Sequence, residues 1–344
     1  MLGSQLSSAA LRSRMKVRVS LVLPVLNEEE TIGLFLARID AMVADNSGII
    51  VDFVFVNDGS TDRTLDVLLG HQEQGRPFQI IDLSRNFGKE AALSAGLQAA
   101  RGDVVVPIDV DLQHPPELIV EMLEKWREGY DVVLARSNDR SSDTPAKRIS
   151  ARLFYALHNR VSDTPIPADV GDFRLMDQCV IKALNQLPET RRFMKGLFAW
   201  VGFRTTVVEY VRAERSAGES KFNGWKLWNF AVEGLTSFST APLRIWTYIG
   251  GTVAFLALVY GAFILLRSLI LGTDTPGFAS IFVAVSFLGG LQLIGIGVLG
   301  EYLGRTFLEA KRRPPFLVRH IYEQDPSGRT EVVEAEPTEQ TETG

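Results

Sequence analysis

Two aspartates one residue apart, Asp109 and Asp111, follow an apolar stretch, and Gln113 stands two residues further on. In an extended segment alternate residues point to the same side, so these three side chains would converge on one small volume. Three oxygen ligands beside open coordination positions suit Mg²⁺ or Mn²⁺. The spacing therefore predicts a divalent-metal site. The alternative is a surface turn rich in acids, which is the commoner meaning of a lone Asp-x-Asp pair.

Four consecutive strand-loop-helix units would hold this site. Each begins with an apolar run and continues through a polar loop into apolar residues at helical spacing. The four runs are residues 17–23, 51–56, 78–83 and 104–108. Such a series predicts an α/β domain with a parallel sheet and right-handed crossovers. In these sheets ligands bind beyond the carboxyl ends of the strands.

Polar side chains follow each predicted strand at that carboxyl edge. They are Asn27, Glu28 and Glu29, then Asp58, then Arg85 and Lys89, and finally Asp109 and Asp111. Four such clusters on one rim favour a nucleotide site over chance. The chain has neither G-x-G-x-x-G after the first strand nor G-x-x-x-x-G-K-[ST], which argues against a dinucleotide enzyme and a Walker ATPase. A metal held by Asp109 and Asp111 would instead hold a diphosphate.

The C-terminal part of the chain has the pattern of a membrane anchor. Residues 245–266 and 278–300 carry no charge, and each is long enough to cross the ~30 Å hydrocarbon core, so they predict a transmembrane hairpin. Residues 223–242, with Trp225 and Trp228, predict an amphipathic helix at the membrane surface. Cations follow the second span and predict that the α/β domain lies in the cytoplasm. They are Arg305, Lys311, Arg312, Arg313 and Arg319. The glycine-rich second span favours a homo-oligomer.

The two ends of the chain carry weaker signals. Residues 1–15 predict a disordered extension, and residues 304–344 a basic segment followed by a disordered acidic tail. Because the tail concentrates acidic residues, the net charge of −5 does not indicate an acidic surface on the folded part. The single cysteine, Cys179, excludes an internal disulfide and fits a reducing compartment. Nothing in the sequence indicates a nucleic-acid partner.

Several motifs together resemble those of family 2 glycosyltransferases, in particular the polyprenyl-phosphate glycosyltransferases, which include the dolichyl-phosphate mannose synthases. The motifs are LVLPVLNEEETI, VFVNDGSTD, LSRNFGKEAALSAGL and IDVDLQHPPELI, together with GDFRL at residues 171–175, which is similar to the bactoprenyl-phosphate glucosyltransferase branch. The resemblance runs from about residue 17 to residue 318. It implies a GT-A, Rossmann-like nucleotide-diphospho-sugar transferase domain over residues 16–222. One departure is His114, where the group more often has Asp, and a plain surface role is expected for it.

The resemblance also implies a role for individual residues. Asp172 would join Asp111 at the catalytic centre, and Arg136 and Arg148 would serve the acceptor phosphate. The nucleotide sugar would be bound by Pro24, Asn27, Glu28, Asp58, Lys89 and Asp109, with Arg215 and Lys221 on a flexible loop over the diphosphate. From the residues alone, Asp172 could equally be a turn former. Residues 212–222 could likewise be a charged linker, and the basic residues near Arg148 a solvated helix face.

The expected activity is inverting transfer of a hexose, most simply glucose from UDP-glucose, to a polyprenyl phosphate at the cytoplasmic face of the cell inner membrane. Mg²⁺ or Mn²⁺ is the expected cofactor. The resemblance implies a tetramer, and a flippase is a candidate partner. Mannose or an amino-arabinose derivative are alternative sugars, and a non-catalytic nucleotide-binding membrane scaffold is the alternative from another class. A processive polysaccharide synthase is disfavoured because Q-x-x-R-W is missing and two spans are too few for a conduit.

Overall fold

A computed structural model describes residues 12, 16–76, 78–137, 170–189, 192, 194–210, 241–271, 277–324 and 330–333. The chain divides into two compact units. The first unit comprises residues 1–155, 166–222 and 314–344, and the second comprises residues 156–165 and 223–313.

The first unit is built on a nine-stranded sheet among the described residues, in the order β7-β5-β6-β4-β1-β2-β3-β8-β9. The strands are β1 (Val17–Val25), β2 (Ile49–Asn57), β3 (Phe78–Leu83), β4 (Val104–Pro107), β5 (Val132–Ser137), β6 (Val170–Asp177), β7 (Thr205–Tyr210), β8 (Val318–Gln324) and β9 (Thr330–Val333). The four predicted strands, β3, β2, β1 and β4, are neighbours and run parallel. The prediction of a parallel sheet at the centre of the domain is confirmed.

Helices cover this sheet through the apolar positions that the sequence pattern predicts. Ile32, Phe35 and Ile39 of the first helix are fully buried against the strands, as expected for one apolar stripe facing a core. The helices of the first unit are α1 (Ile32–Ala44), α2 (Thr64–Glu73), α3 (Lys89–Ala99), α4 (Leu118–Arg127), α5 (Gln178–Asn185) and α6 (Met194–Trp200). Helix α3 approaches the sheet closely, since a Cβ on Gly96 would collide with Val22.

Strand β6 reverses the direction of the sheet and carries the GDFRL motif. It lies antiparallel between β4 and β5, with Val104 opposite Asp177 and Val133 opposite Leu175. Asp172 is therefore a strand residue, and the alternative in which it forms a turn is wrong. Strand β7 then pairs in parallel with β5 at the edge of the sheet.

The disorder predicted for the acidic tail, residues 323–344, does not hold for residues 323, 324 and 330–333, which belong to strands. Strand β8 pairs antiparallel with β3, placing Tyr322 opposite Ile80, and β9 pairs with β8. Without β8, strand β3 would present a row of unpaired backbone groups, which a sheet edge normally has to satisfy. Gln72 of α2 binds the added strand, because its Nε2 donates to the carbonyl oxygen of Tyr322 at 3.3 Å.

Arg12 is the one residue of the predicted extension, residues 1–15, that the structure describes, and it is bound to the folded unit. Its guanidinium lies 2.9 Å from an Asp177 carboxylate oxygen and 3.6 Å from one of Asp131. It also stacks on the indole of Trp126, 4.7 Å from the ring centroid. A planar cation between two carboxylates and an aromatic ring is a specific anchor, which composition alone does not reveal.

The second unit contains the two long helices α7 (Ala241–Leu271) and α8 (Phe278–Ala310). The segments Ile245–Phe263 and Phe287–Ala310 are long and apolar enough to cross a membrane. A Cβ added to Gly295 of α8 would overlap the indole of Trp246 on α7, so this glycine lets the two helices pack closely. Of the predicted interfacial helix, residues 223–240 lie outside the described residues, and residues 241 and 242 belong to α7.

Candidate functional site

Six of the predicted site residues surround one cavity of about 270 Å³ at the carboxyl edge of the central strands. These residues are Pro24, Glu28, Asp58, Lys89, Asp109 and Asp111. They come from the ends of β1, β2 and β4 and from the start of α3, so the topology of the parallel sheet brings together residues far apart in the chain. The volume is close to the lower end of the roughly 300–1,000 Å³ typical of small-molecule sites. It therefore suits a part of a nucleotide sugar, such as its diphosphate.

The chain does not stay extended after β4, contrary to the geometry assumed for the metal ligands. Strand β4 ends at Pro107, and Leu112 adopts a positive φ of 59°. The amide of Gln113 donates to Oδ1 of Asp111 at 3.0 Å, which closes a tight turn. Asp109 and Asp111 both still line the cavity, whereas Gln113 is buried and is not among the residues that line it. The extended spacing that grouped Gln113 with the two aspartates is therefore wrong.

Asp58, which directly follows β2, binds the loop between β3 and α3. Its carboxylate accepts hydrogen bonds from the amides of Phe87 at 2.7 Å and Gly88 at 3.0 Å. Burial raises the pKa of Asp58, and these two amides oppose that rise because they stabilise the charged form. One end of this loop is thus attached to the wall of the cavity.

Lys89 joins the two carboxylates at the centre of the site. Its ammonium lies 2.7 Å from Oδ1 of Asp109 and 3.3 Å from Oδ2 of Asp172. Burial alone would lower the pKa of Lys89, but the two carboxylates outweigh it and raise the pKa. A second, much smaller cavity is lined by Lys89, Asp109 and Asp172 among others, so Asp172 adjoins the larger cavity across this lysine.

Asp172 is held by charges that the sequence analysis did not single out. Arg174 is buried on the same strand, donates to the carbonyl oxygen of Gly171 at 2.6 Å and stacks on Phe198. Burial alone would raise the pKa of Asp172, but Lys89, Lys195 and Arg174 outweigh it and lower the pKa. Asp172 is consequently ionised at neutral pH.

Glu90 is a second carboxyl near Asp172 that sequence reasoning missed. Its Oε2 accepts a hydrogen bond from the amide of Met194 at 3.2 Å, which connects α3 to the start of α6. Burial, reinforced by repulsion from Asp172, raises the pKa of Glu90 to about 7. Its position directly after Lys89 in the first turn of a helix that faces the site was the available signal.

The loop after β1 acts mainly as a connection between neighbouring loops. Asn27 adopts a positive φ of 57°, and its side-chain oxygen accepts from the amide of Thr61 at 2.8 Å. It is not among the residues that line the cavity, so the structure does not bring it to the other predicted donor-binding groups. Glu28 does line the cavity. Burial raises the pKa of Glu28, as does repulsion from Asp111 and Asp109.

Arg136, one of the two residues expected to bind the acceptor phosphate, is not among the residues that line the cavity. Arg136 lies in β5 and forms an ion pair with Glu209 of the adjacent β7 at 3.5 Å. Arg148, Arg215 and Lys221 lie outside the described residues. The arginine and lysine of the predicted diphosphate loop therefore stay predictions.

His114 is more than the surface residue that the sequence indicated. Its Nδ1 lies 2.7 Å from the hydroxyl oxygen of Tyr210, and its ring packs on Phe173 at a centroid distance of 5.0 Å. Phe173 directly follows Asp172, so the imidazole supports the strand segment that carries this carboxylate.

The donor set of the cavity fits a divalent cation that is completed by a ligand. Four carboxylates line it, from Glu28, Asp58, Asp109 and Asp111, and Lys89 is the basic residue beside them. Within the described ranges, no three side chains of His, Cys, Asp or Glu are grouped so as to hold an ion by themselves. Two aspartates would thus leave coordination positions open for the oxygens of a diphosphate, which Mg²⁺ commonly uses.

Comparisons of the sequence with known proteins show the family of this chain. The model for "Glycosyl transferase family 2" matches residues 20–184. A prophage bactoprenol glucosyl transferase homolog of Escherichia coli K12 is 50% identical over 305 residues, which cover 89% of this chain and 99% of that protein. A bactoprenol glucosyl transferase of Shigella phage SfV is 51% identical over 304 residues, covering 88% and 99%.

Among solved structures, a mannosyltransferase from Pyrobaculum calidifontis in complex with GDP-Man and Mn²⁺ matches with a TM-score of 0.46. It is 17% identical, and the match covers 88% of this chain and 95% of that one. The family assignment rests on the sequence relatives, which are about half identical over nearly their whole length. The chain therefore belongs to glycosyl transferase family 2.

Proposed function

We propose that this protein transfers glucose from UDP-glucose to the phosphate of a polyprenyl lipid, with inversion at the anomeric carbon. The observation that carries the proposal is the Asp109–Lys89–Asp172 arrangement beside a carboxylate-lined cavity. It provides a place for a diphosphate on one side and an ionised carboxylate on the other. Relatives about 50% identical over almost their entire length carry the name bactoprenol glucosyl transferase, which supports the substrate class.

Mg²⁺ or Mn²⁺ is proposed as the cofactor, with Asp109 and Asp111 as the protein ligands. When bound, the ion supplies positive charge that stabilises the leaving nucleoside diphosphate. Gln113 is not proposed as a ligand, since it is buried and does not line the cavity. Arg215 and Lys221 are proposed to add further positive charge from their loop.

Lys89 and Asp172 are proposed to prepare the reacting groups. Lys89 orients Asp109 and Asp172 through the ion pairs that it forms with both. A phosphate monoester is already anionic at neutral pH, so the acceptor does not need a strong general base. The low pKa of Asp172 fits a group that orients the attacking phosphate or its partners rather than one that removes a proton at neutral pH.

The two long apolar helices are proposed to place the enzyme on its lipid substrate. Helices α7 and α8 would form a hairpin through the inner membrane, with the catalytic unit in the cytoplasm. Arg136 and Arg148 remain the proposed contacts of the acceptor phosphate, with Arg136 released from Glu209. The proposed assembly is a homo-oligomer, and a flippase that receives the product is the proposed partner.

Incubation of the purified protein with polyprenyl phosphate, Mg²⁺ and a panel of nucleotide sugars tests this function. The expected product is a glucosyl phospholipid from UDP-glucose, detected by mass spectrometry, with no product in EDTA. If product formed instead from GDP-mannose or from a UDP-linked amino-arabinose derivative, the transferred sugar would be one of these alternatives and not glucose. Binding of UDP-glucose without product from any donor would favour the nucleotide-binding scaffold.

A further inference from the structure

The chain that leaves the second membrane-type helix returns to the catalytic unit at the end of β3. Helix α8 ends at Ala310, and the carbonyl oxygen of Leu317 accepts a hydrogen bond from the amide of Ser84 at 2.9 Å. Arg319 of β8 donates from Nη2 to the carbonyl oxygen of Ser84 at 2.7 Å. Both backbone polar groups of Ser84 are therefore held by this C-terminal segment.

Ser84 is the first residue of the β3–α3 loop (residues 84–88), which ends at the binding cavity. At its far end the amides of Phe87 and Gly88 donate to Asp58, and Lys89 follows directly. The loop is thus fixed at two points, by Asp58 at the cavity and by β8 at Ser84. A loop fixed at both ends has few alternative conformations, so Lys89, which follows it and lines the cavity, is preorganised.

Arg319 reaches the same cavity wall by a second route. Its Nη1 lies 3.8 Å from Oδ2 of Asp82, and Oδ1 of this buried carboxylate accepts from Nδ2 of Asn57 at 2.7 Å. Asn57 directly precedes Asp58. Arg319 is half-exposed, so this long ion pair contributes little to overall stability. Its effect falls instead on the geometry of the two strand ends that it connects.

We propose that β8, through Arg319, positions the β3–α3 loop for donor binding, so that the nucleotide site is completed by residues that follow the membrane helices. Arg319 is a positioning residue, since it acts through Ser84 and Asp82 on Asp58 and Lys89. This inference rests on the proposed function only in that the bound ligand is taken to be a nucleoside diphosphate or its sugar.

The full-length variant Arg319→Gln tests the inference, with Arg18→Gln as the matched control. Arg18 is a similarly exposed arginine that pairs with Asp52, but it lies at the amino-terminal end of β1, away from the cavity. In detergent, Arg319→Gln is expected to weaken UDP binding and to raise KM for UDP-glucose by about fivefold, the factor that corresponds to ~1 kcal/mol. KM for the lipid acceptor and the Tm should match those of the control. Equal UDP affinities in the two variants would overturn the proposal.

A second comparison covers the whole strand. A chain ending at Val333 keeps β8 and β9, whereas a chain ending at Arg313 keeps both membrane helices and loses the two strands. The first should bind UDP like the full chain, and the second should bind it more weakly than Arg319→Gln does. Full UDP affinity in the chain ending at Arg313 would contradict the inference. If that chain does not fold, Arg319→Gln decides alone. Since UDP binding needs no transfer, a wild type that binds UDP but transfers no glucose would refute the proposed function and leave this test intact.

Discussion

Asp111 lines the cavity with its carboxylate, while its Oδ1 also receives the amide of Gln113. Asp111→Asn keeps the shape and the turn but removes the charge that the metal would need. Because even groups around metal ligands typically change metal affinity or activity by about 10- to 100-fold, we expect this variant to lose at least about a hundredfold in transfer. Initial rates over a Mn²⁺ series measure the loss.

The control for this change is Asp66→Asn, which alters an exposed aspartate in the first turn of α2. Its rates should equal those of the wild type at every Mn²⁺ concentration. An Asp111→Asn enzyme that works at wild-type speed in EDTA would remove Asp111 from the metal site.

Glu90 gives a pH dependence whose sign follows from its raised pKa of about 7. The folded protein favours the neutral carboxyl, whereas in the unfolded chain this carboxyl ionises near its ordinary pKa of 4.5. Its stabilising contribution is therefore complete below pH 4.5 and is lost as the pH rises to about 7, by an order-of-magnitude ~3 kcal/mol. In Glu90→Gln this loss should disappear. The Tm difference between variant and wild type should therefore grow in the variant's favour across that interval.

The exposed Glu73→Gln on α2 provides the comparison for the Glu90 experiment. Its Tm should follow the wild type at every pH. A Tm difference between Glu90→Gln and the wild type that stays constant from pH 4.5 to pH 8 would show that Glu90 does not titrate in this range.

For individual residues, the sequence predicted which side chains lie together, but it did not predict their detailed arrangement. The strand-end rule was enough to bring Asp58, Lys89, Asp109 and Asp111 together. It could not give the left-handed backbone at Leu112, which depends on how the turn packs. The pairing of Glu90 with Met194 joins residues 104 positions apart, and no local pattern contains such a contact.

Gly59, in the loop after β2, lies against the β3–α3 loop. Gly59 has a φ of +70°, and a Cβ there would lie 2.5 Å from the amide nitrogen of Asn86 and 2.7 Å from the carbonyl carbon of Arg85. Gly59→Ala should push the loop outward, in addition to the roughly 1–2 kcal/mol cost of a left-handed non-glycine residue. We expect both a lower Tm and weaker UDP binding, measured by calorimetry.

Gly48→Ala is the control for the loop, since a Cβ at Gly48 would have no neighbour within 4 Å. This variant should bind UDP normally. If Gly59→Ala also binds UDP with full affinity, the position of the loop does not matter for the donor.

Among the elements, the strands of the central sheet were predictable because each contains a run of apolar residues, most of which are buried. Strand β8 was not, since Arg319, His320 and Glu323 interrupt its apolar residues and its partner β3 is more than 200 positions away. The strand that pairs with the edge of a sheet can come from a distant part of the chain, so the local sequence does not identify it. The acidic composition of residues 323–344 therefore does not reveal that residues 323, 324 and 330–333 belong to strands.

The role of the membrane-type helices can be tested separately from catalysis only in a protein that keeps β8. A chain ending near Phe222 would lose β8 along with the membrane helices, so it cannot test the anchor alone. Replacing residues 241–313 by a flexible Gly/Ser linker retains β8 and β9. We expect this protein to bind UDP, yet to transfer glucose to long-chain polyprenyl phosphate in bilayers orders of magnitude more slowly. A short, water-soluble acceptor should be affected much less.

Rates with the two acceptors, each divided by the wild-type rate, give the readout for the linker variant. Equal ratios would show that the helices do not deliver the lipid and that they serve another purpose, such as oligomerisation through the glycine-rich α8. A loss of UDP binding would show instead that the helices are needed for the catalytic unit to fold.

The pairing of β3 with β8 also sets the order in which the protein can mature. The ribosome makes residues 78–83 long before residues 318–324, and both membrane-type helices emerge in between. One edge of β3 therefore lacks its partner strand while the two long helices are being synthesised. Pairing between segments so far apart in the chain is slow. The hydrogen bonds to Ser84 can form only after both long helices have been translated, because Leu317 and Arg319 follow them in the chain. A nascent chain that has not yet produced β8 would thus lack the contacts of Leu317 and Arg319 with Ser84.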